Sequence, residues 1–284
     1  MDAVRVVTDS TSDLPPEIAE AHGVTVVPLS VIFGDEVVQD GVLTQEEFFA
    51  RMDAEPSLPT TSQPPVGLFM ETYERLLERT REVVSVHISS RLSGTVEAAR
   101  EAAESFKGRV HVIDSLNLSW GEGLQVLEAA RAAAGGASAA EVVRAVERVR
   151  DRVKMIVGLD SLDNLARGGR IGKAKALLGS VLNLKVMITV GKDGTFEAVG
   201  RARGAQAALR QTMQWVESQM GDARRGRFAV LHAMSVARAE WLRDQIEDRY
   251  EVVEMHTIKA GSTITAHTGT GWGVALLPIA GDEG

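Results

Sequence analysis

Three times in the first part of the chain, a short run of apolar β-formers ends in a hydroxyl-rich polar tail and then gives way to helical spacing. The three stretches are VRVVTDSTSDLPPE from Val4, EVVSVHISSRLSGT from Glu82 and RVHVIDSLNLS from Arg109. Pro15 and Pro16 suit a helix start, and the next two helices are expected over roughly 94–106 and 120–134. A repeated strand–helix rhythm predicts a parallel sheet covered on both faces. Ligands of such sheets gather at the carboxyl ends of the strands. The tails TDSTS, HISSRLSGT and IDSLNLS all lie at those ends, so they should converge.

Between the first two units, VTVVPLSVIFGDEVVQDG reads as strand material with a Gly34-Asp35 turn, and Thr44 with Glu47 forms a capping box ahead of a helix. Gly135-Gly136 is the clearest break in composition, and Ser138 with Glu141 opens another capped helix. Beyond it the rhythm changes. VKMIVGL, LKVMITV, TFEAVGR, RFAVLHA, EVVEMHTI and WGVALLPI are strand candidates, and GKDG between Val190 and Thr195 marks a hairpin. The fold class expected is therefore α/β with two domains: 1–150, an α/β/α domain on a parallel sheet, and 151–284, an α+β domain with a mixed or antiparallel sheet.

A formal net charge of −8 argues against a broad nucleic-acid surface, so a small anionic ligand would need its own donor-lined pocket. With no cysteine, disulfides, thiolate metal sites and cysteine nucleophiles are excluded. MDAVRVVTDS lacks a basic region followed by a long apolar core, and no segment reaches about 18 uninterrupted apolar residues, which points to a cytoplasmic protein. Neither GxxxxGK[ST] nor GxGxxG follows a suitable strand, and GTGWG at 269–273 leads into a strand rather than a helix. RLSGT stands where an α/β-hydrolase would carry GxSxG. The six histidines show no metal-ligand spacing, so no metal site is expected.

Hydroxyl groups at helix entrances remain. Ser93, Gly94 and Thr95 precede a helix whose first N–H groups and partial positive charge can seat an anionic oxygen, although plain N-capping by Ser93 or Ser90 is the simpler reading. SLPTTSQPPVG sets Thr61 and Ser62 before a second proline-initiated helix, again open to capping. Arg167, Arg170 and Lys173 form either a solvated face or a source of one carboxylate partner. His267 reads as a loop residue in STITAHTGTGWG, structural on its own evidence.

VTDSTSDLP, TTSQPP, SSRLSGT, LARGGRIG and AHTGTG occur in the order and spacing of the DegV family, whose members include the fatty-acid-binding subunits of bacterial fatty acid kinase. The chain resembles that family over nearly its whole length. The resemblance implies one long-chain fatty acid, such as palmitate, in a buried tunnel between the two domains of a non-catalytic carrier. It implies that Thr61 and Ser93 hold the carboxylate, that Gly94 lets it approach the backbone, and that His267 lies close by, with Ser62 and Arg170 as secondary candidates. Arg201 and Arg203, in VGRARG, resemble the basic segment that some members present to the kinase subunit, which would phosphorylate the carboxylate. No cofactor is implied; a transient membrane contact is compatible with the carrier role. The residues leave two rivals open: a hydrolase or acyltransferase using Ser93 with His267, and a binding module for another apolar carboxylate or a regulator sensing it. One departure is Thr270, where family members commonly carry proline in HxGPG; the loop is expected to be more mobile for it.

Overall fold

The computed structural model describes residues 4–177 and 184–279. The chain divides into two compact units, Met1–Val42 with Pro59–Asp151, and Leu43–Leu58 with Arg152–Gly284. The apolar stretch after the GGRIG turn, 178–183, lies outside the described residues.

The first unit is built on strands β1 (Val4–Asp9), β2 (Val24–Val27), β6 (Glu82–His87) and β7 (Val110–Asp114), in the order β2-β1-β6-β7. All three pairings are parallel, with Val7 opposite both Thr25 and Ser85. Helix α1 (Pro16–Ala21) starts at Pro16, where the missing N–H costs nothing. Side chains alternate across the sheet, so Val7, Val27 and Val83 share one face. There they meet Phe69, Tyr73 and Leu77 of α3 (Val66–Leu77) and the alanines Ala98, Ala99 and Ala102 of α4 (Thr95–Ala103). The opposite face takes α5 (Ser119–Ala134), against which α6 (Ala139–Arg150) packs. Alanines on both helices, among them Ala130 and Ala145, permit that close approach.

The sequence pattern alone does not separate a small antiparallel sheet in this unit, β4 (Glu36–Gln39), β3 (Ser30–Phe33) and β5 (Thr60–Ser62), in the order β4-β3-β5. Gly34, at φ 58°, makes the β3–β4 turn. Thr61 is consequently a strand residue opposite Val31, not a helix cap. The N-cap of α3 is Pro65, without a side-chain cap, because Pro64 and Pro65 hold the chain extended up to the helix.

Residues 43–58 correct the expected unbroken first domain. They carry α2 (Gln45–Ala54), opened by the Thr44–Glu47 capping box, and belong to the second unit. The buried Gln45 amide explains this: its Nε2 donates to the carbonyls of His232 (3.1 Å) and Ala260 (3.0 Å), and its Oε1 accepts from Met234 N (2.9 Å).

The second unit contains all six expected strands: β8 (Lys154–Leu159), β9 (Leu184–Val190), β10 (Phe196–Arg203), β11 (Arg225–Ala233), β12 (Glu251–Lys259) and β13 (Gly271–Ile279). They form one mixed sheet, β10-β9-β8-β13-β11-β12, antiparallel except where β11 meets β12. The β9–β10 hairpin turns through Gly191–Gly194, as GKDG predicts. Leu209, Met213, Val216 and Met220 recur at helical spacing on α8 (Ala205–Met220) and join Ala239, Leu242 and Ile246 of α9 (Val236–Glu247) over the sheet. Trp272 lies across the ladder from Gly158, and its Nε1 donates to Thr212 Oγ1 at 3.1 Å. Short helices α7 (Asp163–Arg167) and α10 (Ser262–Thr268) complete the unit. Among the described residues no helix is long and apolar enough to cross a membrane.

Candidate functional site

The three polar tails of the first unit converge. Asp9, fully buried at the end of β1, accepts from Thr11 N (2.9 Å) and the Thr11 hydroxyl through Oδ1, and from His87 Nδ1 (2.9 Å) and Ile88 N (3.1 Å) through Oδ2. Ser90 N reaches the Asp114 carboxylate at 3.3 Å, and Ser89 N donates to the Asn117 carbonyl at 2.8 Å. The loop from 88 to 95 is thus pinned from β1 on one side and from β7 on the other. Four donors around Asp9 satisfy a charge that would otherwise be costly to bury.

Behind Asp9 lies Glu122, on the first turn of α5 and fully buried, accepting from Thr8 Oγ1 at 2.9 Å. Burial, reinforced by the Asp9 charge, pushes its carboxyl well above the usual range. His87 Nε2 lies 2.7 Å from Ser85 Oγ, which lies 2.9 Å from the Tyr73 hydroxyl. Ser85, His87 and Asp9 have the order of a hydrolase triad, but all three are fully buried and no substrate can reach them. They hold the loop in place.

At the start of α4 the N-cap is Gly94, without a side-chain cap. Ser93 Oγ lies 2.8 Å from Thr95 Oγ1 and accepts weakly from Thr95 N at 3.3 Å. Ser93 is half-buried, Thr95 buried, Thr61 half-buried and Ser62 exposed, with the Ser62 hydroxyl donating to the Gln63 carbonyl at 3.2 Å. TTSQPP meets SSRLSGT through Gln63, which bears no hydroxyl. A Cβ on Gly94 would stand 2.0 Å from Gln63 Oε1 and 3.0 Å from Cδ, so the Gln63 amide lies directly against Gly94.

In the second unit His267 is helical, in the last turn of α10, and not in a loop as expected. The α10 helix ends one residue later, at Thr268, and is capped by Gly269 at φ 67°. The ring lies against Gly168, where a Cβ would stand 2.5 Å from Nδ1. Arg170 Nη1 donates to the Gly168 carbonyl at 2.7 Å. Burial, with the Arg170 charge added, pushes the His267 pKa down to about 4, so the imidazole is neutral at physiological pH. LARGGRIG and AHTGTG are therefore neighbours, meeting where the His267 ring lies against Gly168. Lys173 is engaged by Asp193 (2.8 Å) and Glu197 (3.0 Å).

Thr270 ties its loop down rather than loosening it. Its hydroxyl donates to Asp160 Oδ2 at 2.8 Å, and its carbonyl accepts from Asp160 N at 3.2 Å. Burial alone would raise the Asp160 carboxyl, but hydrogen bonds from Lys185, Thr270 and Arg238 outweigh it and hold the group below the usual range. The Arg238 guanidinium lies over the Trp272 ring, 5.0 Å from its centroid. Next to this hub is a cavity of about 370 Å³, lined by Phe49, Met52, Met234, Asn164 and Thr270 among others. Arg201 and Arg203 are exposed on β10, an outer strand of the sheet, with buried Ala202 between them. Among the described residues no group of three or more His, Asp or Glu side chains could hold a metal ion.

The model of the DegV family, a family of uncharacterised proteins, matches residues 3–278. The chain belongs to the DegV family. Among its DegV relatives, a DegV domain-containing protein of Deinococcus radiodurans is 41% identical over 282 residues, covering 98% of this chain and 99% of the relative. A solved DegV-family structure from Thermus thermophilus, described by its fatty acid binding, superposes with a TM-score of 0.93 at 36% identity, over 98% of this chain and 100% of that one. The Bacillus subtilis DegV structure, described as a fatty acid binding protein, gives a TM-score of 0.87 at 28% identity, over 98% and 100%. The parallel sheet of the first unit and the mixed sheet of the second are thus the DegV fold.

Proposed function

We propose that this chain binds one long-chain fatty acid and carries it, acting in the cytoplasm and catalysing no reaction itself. The observation that carries this reading is the full-length similarity to two fatty-acid-binding DegV proteins, one at a TM-score of 0.93. Physical chemistry supports it: a sixteen-carbon tail offers on the order of 10 kcal/mol at about 0.8 kcal/mol per buried CH₂, before ordering costs. The carboxylate must then find donors. Thr61, Ser93 and Gly94 of the first unit are proposed to supply them, with Ser62 secondary. His267 of the second unit is proposed to add a neutral N–H and Arg170 a weaker charge contribution. The exposed pair Arg201 and Arg203 is proposed as the contact for a fatty acid kinase, to which the carrier would present the carboxylate.

Mass spectrometry of the purified protein tests the carrier reading. About one equivalent of free fatty acid is expected. An acyl group bonded to Ser93 would instead favour a hydrolase, and an empty protein that also fails to take up added palmitate would sink the carrier. For the kinase contact, Arg201→Glu with Arg203→Glu should leave palmitate affinity intact while acyl phosphate formation with a kinase and ATP is lost.

A further inference from the structure

Gly94 does not need to be glycine for its backbone. Its φ of −78° is open to any residue. What the missing Cβ provides is room, and the room is filled by the Gln63 amide, whose Oε1, Cδ and Nε2 would lie 2.0, 3.0 and 3.3 Å from a methyl carbon there. Nor is Gln63 placed by chance. Ser62 before it pairs in β5 with Ser30, and Pro64 after it is buried and restricts Gln63 to extended backbone. The side chain of an exposed residue is thereby launched from a fixed point toward the uncapped start of α4.

We propose that Gln63 is a headgroup-binding residue of this seat, its amide clamped over Gly94 so that its N–H₂ donates to the carboxylate of the bound lipid. The inference rests on the fatty-acid reading of the site. It gives the seat a donor beyond hydroxyls and helix-terminal N–H groups, and an amide is suited to an anion because it carries two N–H bonds and no charge to desolvate. Gly94 thereby acquires a second role beside its own N–H, in which the missing Cβ makes room for the glutamine and the glutamine meets the ligand.

The test is a double-mutant cycle on delipidated protein, read by displacement of a fluorescent fatty acid with palmitate and with hexadecanol. Gln63→Ala should weaken palmitate about tenfold, the effect of one hydrogen bond to a charged group, and hexadecanol by less than about threefold. Gly94→Ala should weaken palmitate to a similar degree, because its methyl evicts a flexible side chain without straining the backbone. In the Gln63→Ala background, Gly94→Ala should cost less than about twofold. Three outcomes overturn the proposal: unchanged palmitate affinity in Gln63→Ala, equal losses for acid and alcohol, or full multiplication of the two losses, which would mean that the methyl at position 94 acts independently of Gln63. Unmodified protein that fails to prefer palmitate over hexadecanol would instead overturn the reading of the site as a carboxylate seat. Thermal unfolding of each variant confirms that affinity, not folding, has changed.

Discussion

His267→Gln isolates the electrostatic consequence of burying an imidazole against Gly168. The histidine titrates near its ordinary value of 6.5 in the unfolded chain and near 4 in the folded one, a gap of roughly 3 kcal/mol at about 1.4 kcal/mol per unit. The folded-state value is depressed, so between those limits the unfolded chain binds the extra proton. Stability from this group is fully present above about pH 6.5 and is lost as the pH falls toward about 4, below which the loss is complete. Glutamine retains a polar side chain of similar reach but cannot titrate. Urea unfolding of both proteins at about pH 7.5 and about pH 4.5 should show the unsubstituted chain losing about 2 to 3 kcal/mol more than the variant. Carboxylates that titrate over the same range are common to both and cancel in the difference.

The NMR titration of the His267 ring gives an independent reading and should have its midpoint near 4. Parallel stability profiles for the two proteins, or a ring that titrates near 6.5, would refute the reasoning. On the proposed function, the same neutrality means that palmitate affinity should not decline as the pH rises from about 6 to about 8, because no imidazolium is being lost.

Gly158→Ala places a methyl 2.1 Å from Trp272 Cε2 and 2.6 Å from Nε1, in a ring that is buried and cannot swing away. Overpacking of this kind costs about 1 to 3 kcal/mol and should lower the thermal midpoint by several degrees, with the Trp272 emission shifted; an unaltered midpoint would contradict the packing. Thr270→Ala removes the hydroxyl from Asp160 and should cost about 1 to 2 kcal/mol in urea unfolding, whereas no loss would mean that Lys185 and Arg238 suffice to hold the carboxylate.

The strand–helix rhythm was legible because a two-residue or 3.6-residue period is set by each segment's own backbone, and GKDG and both capping boxes are equally local. The unit to which helix α2 belongs was not legible in this way. The periodicity of α2 says that it is a helix, but Gln45 is bonded to main-chain groups of residues 232, 234 and 260, a fact of tertiary geometry. Thr61 looked like a cap because two prolines follow it, and the pairing with Val31 that makes it a strand residue is again nonlocal. Ser93 and His267 could be picked out because hydroxyls and imidazoles carry recognisable chemistry. Gln63 stood in full view in TTSQPP, yet its relevance arises only from a Cβ that Gly94 lacks, and Gly168 is hidden in the same way behind His267.

Two acidic groups, Asp9 and Glu122, stand behind a loop proposed to receive an anion. Asp9 spends its charge on four donors, the last of them Ile88 N, at the residue where that loop begins. A second full charge behind that loop would repel an incoming carboxylate, the more so where protein replaces water around it. Burial works against this by raising the Glu122 carboxyl, which favours its neutral form. Because the folded-state value is raised, stability from Glu122 is fully present below about 4.5 and declines as the pH rises through the folded value. Glu122→Gln mimics the protonated form permanently. It should remove that decline, giving urea midpoints that fall less steeply from acid to alkaline pH than those of the unsubstituted chain, and it should leave palmitate affinity at neutral pH unchanged. Tenfold tighter binding in the variant would mean that Glu122 is ionised in the folded protein and that the seat operates against two buried charges rather than one.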